Sequence, residues 1–473
     1  MDKILRHKPE FLQGDNFLNY IYEEIANDTN ERETLSFVQF TDLHLDLDYT
    51  TGASTTCDTV MCCRPENGFP EDPSIQAGEF GSVAFCDVPP SVLYKMGDKV
   101  NELAPDVLFW TGDVPPHDLW EYSYDHVKRY VGFLSEYMHA NLNQWSIFPM
   151  EGNHDYGAMN SQDFSTPHPD PMITFQLEQW SDWLDEDAQK EYAVHGYYSQ
   201  PLKTSDGTVF PKVRVVAVNT EACYNMNFYL MKLRDDPGDQ LQWLEETLYK
   251  MEANGEIGIL IGHVPPADAS CLNQWATRYT ALMDRFQHII RLQFFGHVHM
   301  EMHNTIRGFN TNKPIGINFW AGAMTTYTFA YPSFRRFIVD KETMLPLKVE
   351  TWKFDPEAEN PEFFYDHEMT EYYGMTDLSP ASFDALADRF LDDEDLSLVY
   401  LRTKSQNGKK KVESCDEDCR LEVYCQTRNG VYNDKLLCQN QDIHSWVHDP
   451  INTLMETTSD PWYASHKYPH FTQ

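Results

Sequence analysis

Short apolar runs recur along the chain from residue 35, and polar residues rich in Asp, His and Asn follow each run at once. Runs of this length that are rich in β-branched and aromatic residues are typical of buried strands. We therefore predict strands at six positions: SFVQF (36–40), DVLFW (106–110), WSIFPM (145–150), VRVVAVNT (213–220), IGILIGHV (257–264) and LQFFGHVH (292–299).

Helical patterns lie between some of these runs. Asp236-Pro237 offers a cap followed by a proline at the first helical position, and an apolar face then continues through Leu241, Leu244, Leu248 and Met251. Strands that alternate with helices predict an α/β core. Because ligands of such cores gather at the carboxyl ends of the strands, the polar residues after each run are candidate site residues.

Composition changes twice along the chain. Residues 1–34 are polar and predict an N-terminal extension or linker, and residues 35–350 contain the α/β pattern. After residue 350 an acidic, aromatic stretch leads to Ser379-Pro380, which opens a helix with Phe383, Leu386 and Phe390 at helical spacing. We therefore predict a smaller, mostly helical C-terminal region over residues 351–473.

The charge balance excludes several partners. The 473 residues include 36 Lys and Arg against 74 Asp and Glu, a formal charge of −38. Such an acidic surface argues against binding of nucleic acid polymers and against adhesion to anionic lipid. The 18 His residues gain charge below about pH 6, which suits an acidic compartment. No apolar run of about 18 residues occurs, so we expect no transmembrane helix.

The ten cysteines fall into local clusters at 57–86, 223–271 and 415–438. They could be buried thiols of a cytosolic protein, and the last cluster could be a zinc knuckle. Tight clusters with small loops favour disulfides and therefore an oxidising compartment, although MDKILRHKPEFLQ lacks the apolar segment of a signal peptide. Asn27-Asp28-Thr29 is a possible glycosylation site.

Five motifs at the predicted strand ends carry the candidate chemistry: TDLHLD, TGDVPPHD, EGNHD, IGHVPP and FGHVH. Such a mixture of nitrogen and oxygen donors suits Zn²⁺, Mn²⁺ or Fe²⁺ better than Ca²⁺, which prefers oxygen alone. The motifs supply seven candidate metal ligands: Asp42, His44, Asp113, Asn153, His263, His297 and His299.

The spacing within these motifs has a structural meaning. In Asp42-x-His44 and His297-x-His299, alternate residues of an extended strand end would point the same way, so that one segment supplies two ligands. A glycine precedes a candidate ligand in four motifs, and glycine allows sharp turns and close approach of the backbone. These glycines are Gly112, Gly152, Gly262 and Gly296.

The order and types of these residues resemble the calcineurin-like metallophosphoesterases over residues 36–300. TGDVPPHD, with a His four residues after the Asp, CDTVMCCR, and GHVPP followed by Cys271 resemble the acid sphingomyelinase branch of that family. The resemblance implies a four-layer αββα sandwich, catalytic over residues 35–350. It also implies two divalent metal ions, with Zn²⁺ as the expected metal, which trap a hydroxide as the nucleophile.

The resemblance implies a role for each candidate. The ligands divide between the two metals as Asp42, His44 and His299 for one, Asn153, His263 and His297 for the other, and Asp113 bridging them.

Two further histidines have catalytic roles by the same resemblance. His154 would protonate the leaving alkoxide, and His117 would assist it or contact the phosphate. A core or supporting histidine is the ordinary alternative for each. Asp155 could orient an imidazole or could be a surface carboxylate.

The branch also implies five disulfides and a secreted or lysosomal location. The implied pairs are Cys57–Cys62, Cys63–Cys86, Cys223–Cys271, Cys415–Cys419 and Cys425–Cys438.

The implied reaction is hydrolysis of sphingomyelin to ceramide and phosphocholine. A phosphodiesterase for nucleotides or other soluble diesters is the alternative, since the chain shows no six-cysteine saposin domain of the kind that acid sphingomyelinase carries. Trp120, Tyr122 and Tyr124 could contact a choline group by cation–π attraction, with peripheral membrane contact, or could be buried packing residues.

Two other classes fit less well. A purple acid phosphatase needs a Tyr three residues after the motif Asp, and Pro116 occupies that position. A binding protein with a dead site is disfavoured because all seven ligand positions are intact.

Overall fold

The computed structural model of the chain describes residues 2–5, 7–165, 170–233, 235–406, 408 and 412–439. Its strands are β1 (Thr34–Phe40), β2 (Val107–Thr111), β3 (Ser146–Met150), β4 (Tyr198–Lys203), β5 (Val209–Ala217), β6 (Ile257–Ile261), β7 (Ile290–Phe295), β8 (Met302–Arg307), β9 (Pro314–Trp320), β10 (Ser333–Asp340), β11 (Pro346–Phe354) and β12 (Phe363–Glu368). All six predicted strands are present, as β1, β2, β3, β5, β6 and β7.

The strands form two mixed six-stranded sheets. The first has the order β12-β11-β10-β1-β2-β3 and the second β4-β5-β6-β7-β9-β8. Each motif-bearing strand runs parallel to its motif-bearing neighbours, whereas the outer strands are mostly antiparallel. Within each sheet, the carboxyl ends of these strands therefore meet at one edge.

The helices are α1 (Asp2–Leu5), α2 (Phe17–Asn27), α3 (Pro90–Leu103), α4 (Tyr124–Asn141), α5 (Pro171–Trp180), α6 (Glu186–His195), α7 (Gln240–Asn254), α8 (Asn273–Arg285), α9 (Met369–Tyr373), α10 (Pro380–Asp392), α11 (Glu394–Lys404), α12 (Glu417–Arg428) and α13 (Tyr432–Cys438). In the part of the chain that the structure describes, no helix is both long and apolar enough to cross a bilayer.

The two sheets pack face to face, and helices cover their outer faces. In β6, Ile259 and Ile261 lie in the core that the sheets share, whereas Leu260 lies in a second core with residues of α7 and α8. The Phe294 ring joins the sheets, at 5.2 Å from the Phe109 ring and 4.6 Å from the Phe337 ring. The predicted αββα sandwich is confirmed.

Helix α7 begins later than the sequence predicts. Gly238 and Asp239 have φ of 68° and 52°, so Pro237 lies in a separate turn and the α-helix starts at Gln240. Asp236 still acts as the cap, because its carboxylate accepts the N–H groups of Leu241 and Gln242 at 2.8 and 3.0 Å. The helix that Ser379-Pro380 opens is present as α10.

The two ends of the chain are integrated with the sheets more closely than the predicted boundaries indicate. Helix α2 buries Leu18 and Tyr22 in the shared core, and the Tyr22 hydroxyl donates to the Pro346 carbonyl at 2.9 Å. The boundary at residue 350 falls within β11, and β12 extends the same sheet to Glu368. Strand β12 is an edge strand whose Phe364 and Tyr365 are exposed. Its sequence therefore lacks the continuous apolar run by which the buried strands were predicted. Residues 440–473 lie outside the described residues.

All ten cysteines are paired, and the five pairs are those that the resemblance implies, with Cα–Cα distances between 4.8 and 5.7 Å. No free cysteine is present among these ten, all of which are described. Buried thiols and a zinc knuckle are therefore wrong interpretations of the clusters.

A buried ionic group connects the edge of the first sheet to the segment that follows FGHVH. Glu301 lies 3.1 Å from Arg335 Nη2 and 3.0 Å from His367 Nε2, and His367 Nδ1 lies 2.7 Å from Asp366. Burial lowers the pKa of His367, but the Glu301 and Asp366 carboxylates outweigh it and raise that pKa above its ordinary value. The histidine therefore favours its charged form in the folded protein.

Removing the Cys63–Cys86 disulfide by the double change Cys63→Ser and Cys86→Ser should lower the free energy of unfolding by about 3 kcal/mol, because the bridge closes a segment of 23 residues. The same change at Cys415 and Cys419, which are 4 residues apart, should lower it by about 2 kcal/mol. Urea unfolding measures both values. Free thiols in the wild-type protein by mass spectrometry would contradict the pairing.

The stability that His367 contributes should depend on pH. A pKa raised on folding stabilises the folded state fully below the unfolded value of about 6.5, and this contribution is lost as pH rises through the raised pKa. The difference in unfolding free energy between wild type and His367→Gln, measured from about pH 5 to about pH 9, should therefore be largest below about pH 6.5 and shrink as the pH rises above that value.

The matched control is His139→Gln, because the His139 ring contacts the Gln179 carbonyl at 2.9 Å rather than a carboxylate. A constant difference for His367→Gln across this pH range would show that the histidine acts only through packing.

Candidate metal centre

The five motifs lie directly beyond the carboxyl ends of five parallel strands. In four motifs the first candidate ligand is the second residue after the strand, and Asn153 is the third residue after β3. Because both sheets present these ends to the same place, residues far apart in the chain converge there. The structure brings all seven predicted ligands together.

One group of donors consists of Asp42, His44 and His299, and one donor atom from each lies within 4.8 Å of the other two. The His44 and His299 Nε2 atoms are 3.0 Å apart, and His299 Nε2 lies 3.3 Å from the Asp42 carboxylate. All three residues are buried.

The second group contains Asp113, His263 and His297, with Asn153 beside them. The Asn153 Oδ1 atom lies 3.1 Å from His263 Nε2 and 2.8 Å from His297 Nδ1. Asp113 Oδ2 lies 3.1 Å from His263 Nε2 and also 3.6 Å from His44 Nε2 in the first group. This carboxylate oxygen therefore lies between the two groups, as a bridging ligand would.

Backbone carbonyls orient two of the imidazoles. His44 Nδ1 lies 2.8 Å from the Pro115 carbonyl, and His263 Nδ1 lies 2.7 Å from the Thr111 carbonyl. Because a carbonyl can only accept, each Nδ1 carries a hydrogen, and each Nε2 is the ring atom left to bind a metal at the centre. Nε2 donors with this support are suited to a divalent cation.

The backbone at the ligands is not extended, so that part of the sequence prediction is wrong. Asp42, His44, Asp113, His297 and His299 have φ between 40° and 69°, in the left-handed region. Non-glycine residues adopt this conformation rarely, and it is found where the surrounding structure imposes it at functional sites. Each strand has ended before the ligands, so the paired side chains share a site through turns of the loops.

Glycines allow the loops to touch. A Cβ atom on Gly152 would lie 2.2 Å from Asp113 Oδ1, and a Cβ atom on Gly112, where φ is 94°, would lie 2.5 Å from the Gly152 nitrogen. No side chain fits at either position, so the loops after β2 and β3 pack backbone against backbone.

Two buried carboxylates, those of Asp42 and Asp113, bring negative charge to the centre. Burial opposes the charge of Asp42 and Asp113, but the neighbouring histidines lower the pKa of both carboxyl groups. Burial also opposes the charge of His263, yet Asp113 and Asp42 raise its pKa to about 10. In contrast, burial and the nearby His117 and His299 lower the pKa of His44 well below its usual value. Buried carboxylates of this kind require positive partners, and the donor set fits two divalent cations.

Asp155 follows neither of its two predicted alternatives. It is buried, and its carboxylate accepts backbone N–H groups from Gly152, Asp113 and Val114 at 2.7, 2.8 and 3.0 Å. Burial and the Asp113 charge raise its pKa to about 7. Asp155 therefore fixes one site loop against the other.

His117 lies beside the centre and is held from two sides. Its Nδ1 lies 3.0 Å from the Asp87 carboxylate, and its ring stacks on Tyr327 with centroids 4.0 Å apart. The Thr325 hydroxyl donates to Asp87 at 2.8 Å. Sequence reasoning missed Asp87, Thr325 and Tyr327, because none of them belongs to a motif.

His154 lies on the same side, with its ring 4.6 Å from the His44 ring and 4.9 Å from the His117 ring. The three predicted choline contacts differ in position. Trp120 and Tyr124 are 51% and 48% exposed, so they are not buried packing residues. Tyr122 is partly buried, and its hydroxyl lies 2.5 Å from His154 Nδ1.

Known sequences resemble the chain over most of its length. Residues 35–301 match the family described as Calcineurin-like phosphoesterase. Sphingomyelin phosphodiesterase B of Dictyostelium discoideum is 28% identical, with 92% of this chain and 68% of that protein covered. Sphingomyelin phosphodiesterase of Bos taurus is 27% identical, with 85% and 65% covered. A cyclic GMP-AMP phosphodiesterase of Homo sapiens is 26% identical, with 83% and 87% covered.

These matches confirm the branch that the motifs resemble. The chain spans about two thirds of the length of these sphingomyelin phosphodiesterases, whereas it spans most of the cyclic GMP-AMP phosphodiesterase.

Asp113→Asn should reduce the bound metal from two equivalents to one or fewer, because it neutralises the carboxylate that lies between both donor groups. The matched control is His154→Gln, which changes a neighbouring side chain outside the seven donors and should retain two equivalents. Elemental analysis of protein dialysed against Zn²⁺ measures both. Two retained equivalents in Asp113→Asn would show that this carboxylate is not shared.

Proposed function

Because the chain belongs to the calcineurin-like phosphoesterase family, we propose that it is a two-metal phosphodiesterase that hydrolyses sphingomyelin to ceramide and phosphocholine. The observation that carries the proposal is the convergence of seven donors beside His117 and His154. Its support from known sequences is the match of the sphingomyelin phosphodiesterases to 85–92% of the chain.

The seven donors would hold two Zn²⁺ ions in the division that the family resemblance implies. When bound, such a pair activates a water nucleophile and neutralises charge on the phosphoryl oxygens. The distances support this division, because Asp113 Oδ2 lies within 3.6 Å of a histidine of each group, whereas Asp42 Oδ1 lies 3.3 Å from His299 Nε2 and 3.8 Å from His263 Nε2. Those groups comprise Asp42, His44 and His299 on one side, and Asn153, His263 and His297 on the other.

His154 is the proposed general acid. As the bond between phosphorus and the ceramide oxygen breaks, its electron pair remains on that oxygen, which takes the proton from the imidazolium. An alkoxide is a poor leaving group, and a positioned imidazolium contributes about 10²- to 10⁴-fold to the rate. The His154 backbone N–H donates to Asp113 Oδ1 at 2.8 Å, which keeps the acid next to the ligand between the two groups.

His117 would contact a phosphoryl oxygen. The Asp87 carboxylate accepts the backbone N–H of His117 at 2.6 Å and lies 3.0 Å from its Nδ1. The contact with Asp87 orients the His117 ring through Nδ1 and leaves Nε2 to face an anionic substrate.

Hydrolysis of nucleotides or other soluble diesters is the second candidate. The supporting observation is that a cyclic GMP-AMP phosphodiesterase matches 83% of this chain at 26% identity. Both candidates use the same centre and differ in the substrate that surrounds the phosphate.

A secreted or lysosomal location fits the five disulfides, which persist in oxidising compartments. Peripheral membrane contact fits the exposed Trp120 and Tyr124 on the segment that precedes and begins α4, since aromatic side chains favour the lipid interface.

A substrate panel tests the function. We expect cleavage of sphingomyelin in detergent micelles to phosphocholine, assayed at pH 5 and at pH 7, and dependent on Zn²⁺. ATP and bis(p-nitrophenyl) phosphate are the soluble comparisons. His154→Gln tests whether the turnover comes from the proposed site. It should lower sphingomyelin turnover by about 10²- to 10⁴-fold while retaining the metal.

Turnover of the soluble diesters without turnover of sphingomyelin would contradict the sphingomyelin candidate and support hydrolysis of nucleotides or other soluble diesters. No turnover of any diester by protein with two metal equivalents would contradict both candidates. Unchanged turnover in His154→Gln would remove that residue from the mechanism.

A further inference from the structure

Tyr122 lies on the loop between β2 and α4, five residues after His117. Its hydroxyl makes two contacts, with the Pro116 carbonyl at 2.9 Å and with His154 Nδ1 at 2.5 Å. The Tyr122 and His154 rings meet edge to face, with their centroids 5.8 Å apart and their planes at 72°. The tyrosine thus joins the loop of one proposed catalytic histidine to the ring of the other.

The two contacts together determine where the hydrogens lie. A phenol carries one hydrogen, and a carbonyl can only accept, so the Tyr122 hydroxyl donates to Pro116. The phenol oxygen is then the acceptor toward His154, and Nδ1 must carry a hydrogen to make the contact at 2.5 Å. The proton that the ring exchanges with a substrate consequently belongs to Nε2.

The acceptor carbonyl lies in a rigid segment. Pro115 and Pro116 have fixed φ angles, which restricts the backbone conformations open to this segment. The Pro115 carbonyl fixes the His44 imidazole, and the Pro116 carbonyl fixes the Tyr122 hydroxyl. This pair of prolines thereby supports a candidate ligand and, through Tyr122, the proposed general acid.

A backbone hydrogen bond holds the main chain of His154. The backbone N–H of His154 donates to Asp113 Oδ1, which positions the main chain but leaves rotation about the side-chain bonds. Burial and nearby carboxylates, Asp118 first among them, raise the pKa of Tyr122 well above its usual value, so the phenol stays neutral. A neutral phenol at a constant position is a suitable hydrogen-bond acceptor for Nδ1.

We propose that Tyr122 is the positioning residue of the general acid: it holds His154 with the hydrogen on Nδ1 and with Nε2 available to protonate the leaving group. This assignment rests on the proposed role of His154 as the acid. It gives Tyr122 a role different from the expected choline contact, because its hydroxyl contacts Pro116 and His154.

The test is Tyr122→Phe, which removes only the hydroxyl, assayed on diesters whose leaving groups need different degrees of protonation. The kcat should fall about 10- to 100-fold for diphenyl phosphate and for sphingomyelin, a part of the full contribution of a general acid. It should stay within about twofold for bis(p-nitrophenyl) phosphate, because p-nitrophenolate leaves without a proton. KM should stay within about twofold for each substrate.

Tyr130→Phe is the matched control. Tyr130 is a buried tyrosine of α4 whose hydroxyl has no hydrogen-bond partner among the described residues, so its loss should leave every rate unchanged. Metal content and melting temperature should be equal in wild type and Tyr122→Phe. An equal loss of kcat on all three diesters would indicate a structural role and overturn the proposal, as would no loss on any.

A spectroscopic measurement separates this inference from the proposed function. The ¹⁵N resonances of His154, assigned by their absence in His154→Gln, should report a hydrogen on Nδ1 in wild type. The fraction of His154 that carries a hydrogen on Nδ1 should be lower in Tyr122→Phe than in wild type. If the wild type turns over no diester, the proposed function fails and the ¹⁵N result still tests the contact. A hydrogen on Nε2 alone would overturn the positioning role whatever the activity.

Discussion

The site depends on the position of one buried carboxylate, that of Asp113. Its Oδ2 atom lies between a histidine from the loop after β1 and a histidine from the loop after β6, which belong to different sheets. Its Oδ1 atom accepts the backbone N–H of His154, and its own backbone N–H is held by Asp155. An ionised carboxylate in the interior is unfavourable without positive partners, so this position requires both donor groups to be in place.

The sandwich supplies the rigidity that this arrangement needs. Five of the seven candidate ligands have left-handed backbone conformations, each of which costs about 1–3 kcal/mol and persists only when the surroundings impose it. The shared core of two sheets fixes the strand ends, and the close approach at Gly112 and Gly152 fixes two loops against each other. Strain at the ligands is therefore offset by packing elsewhere in the domain.

The segments outside the central strands also contribute to the site. The Cys63–Cys86 disulfide lies next to Asp87, which supports His117. At the other end of the chain, His367 of β12 and Arg335 of β10 surround Glu301, two residues after the candidate ligand His299. Strands β10 and β12 thus hold the segment beside the last candidate metal ligand, and the C-terminal part of the chain is more than an appended helical region.

The sequence alone was sufficient to predict the six central strands and to name nine residues that the structure brings together at their ends, and the family resemblance implied the disulfide pairs. A buried strand is a local apolar run, and each motif follows its strand within two or three residues. Strands and motifs can therefore be recognised from short stretches of sequence. The exposed edge strand β12 and the core helix α2 escaped prediction, because a mixed polar pattern does not show which side chains the rest of the fold will cover.

Only the tertiary structure decided how the site residues are held. Asp87 is 30 residues from His117, and Tyr122 is 32 residues from His154, so no local pattern records either contact. The left-handed turns at Asp42 and His44 likewise arise because loops from two sheets must bring their side chains to one place. The sequence determines which chemical groups are available, whereas packing between distant segments determines their orientation and charge.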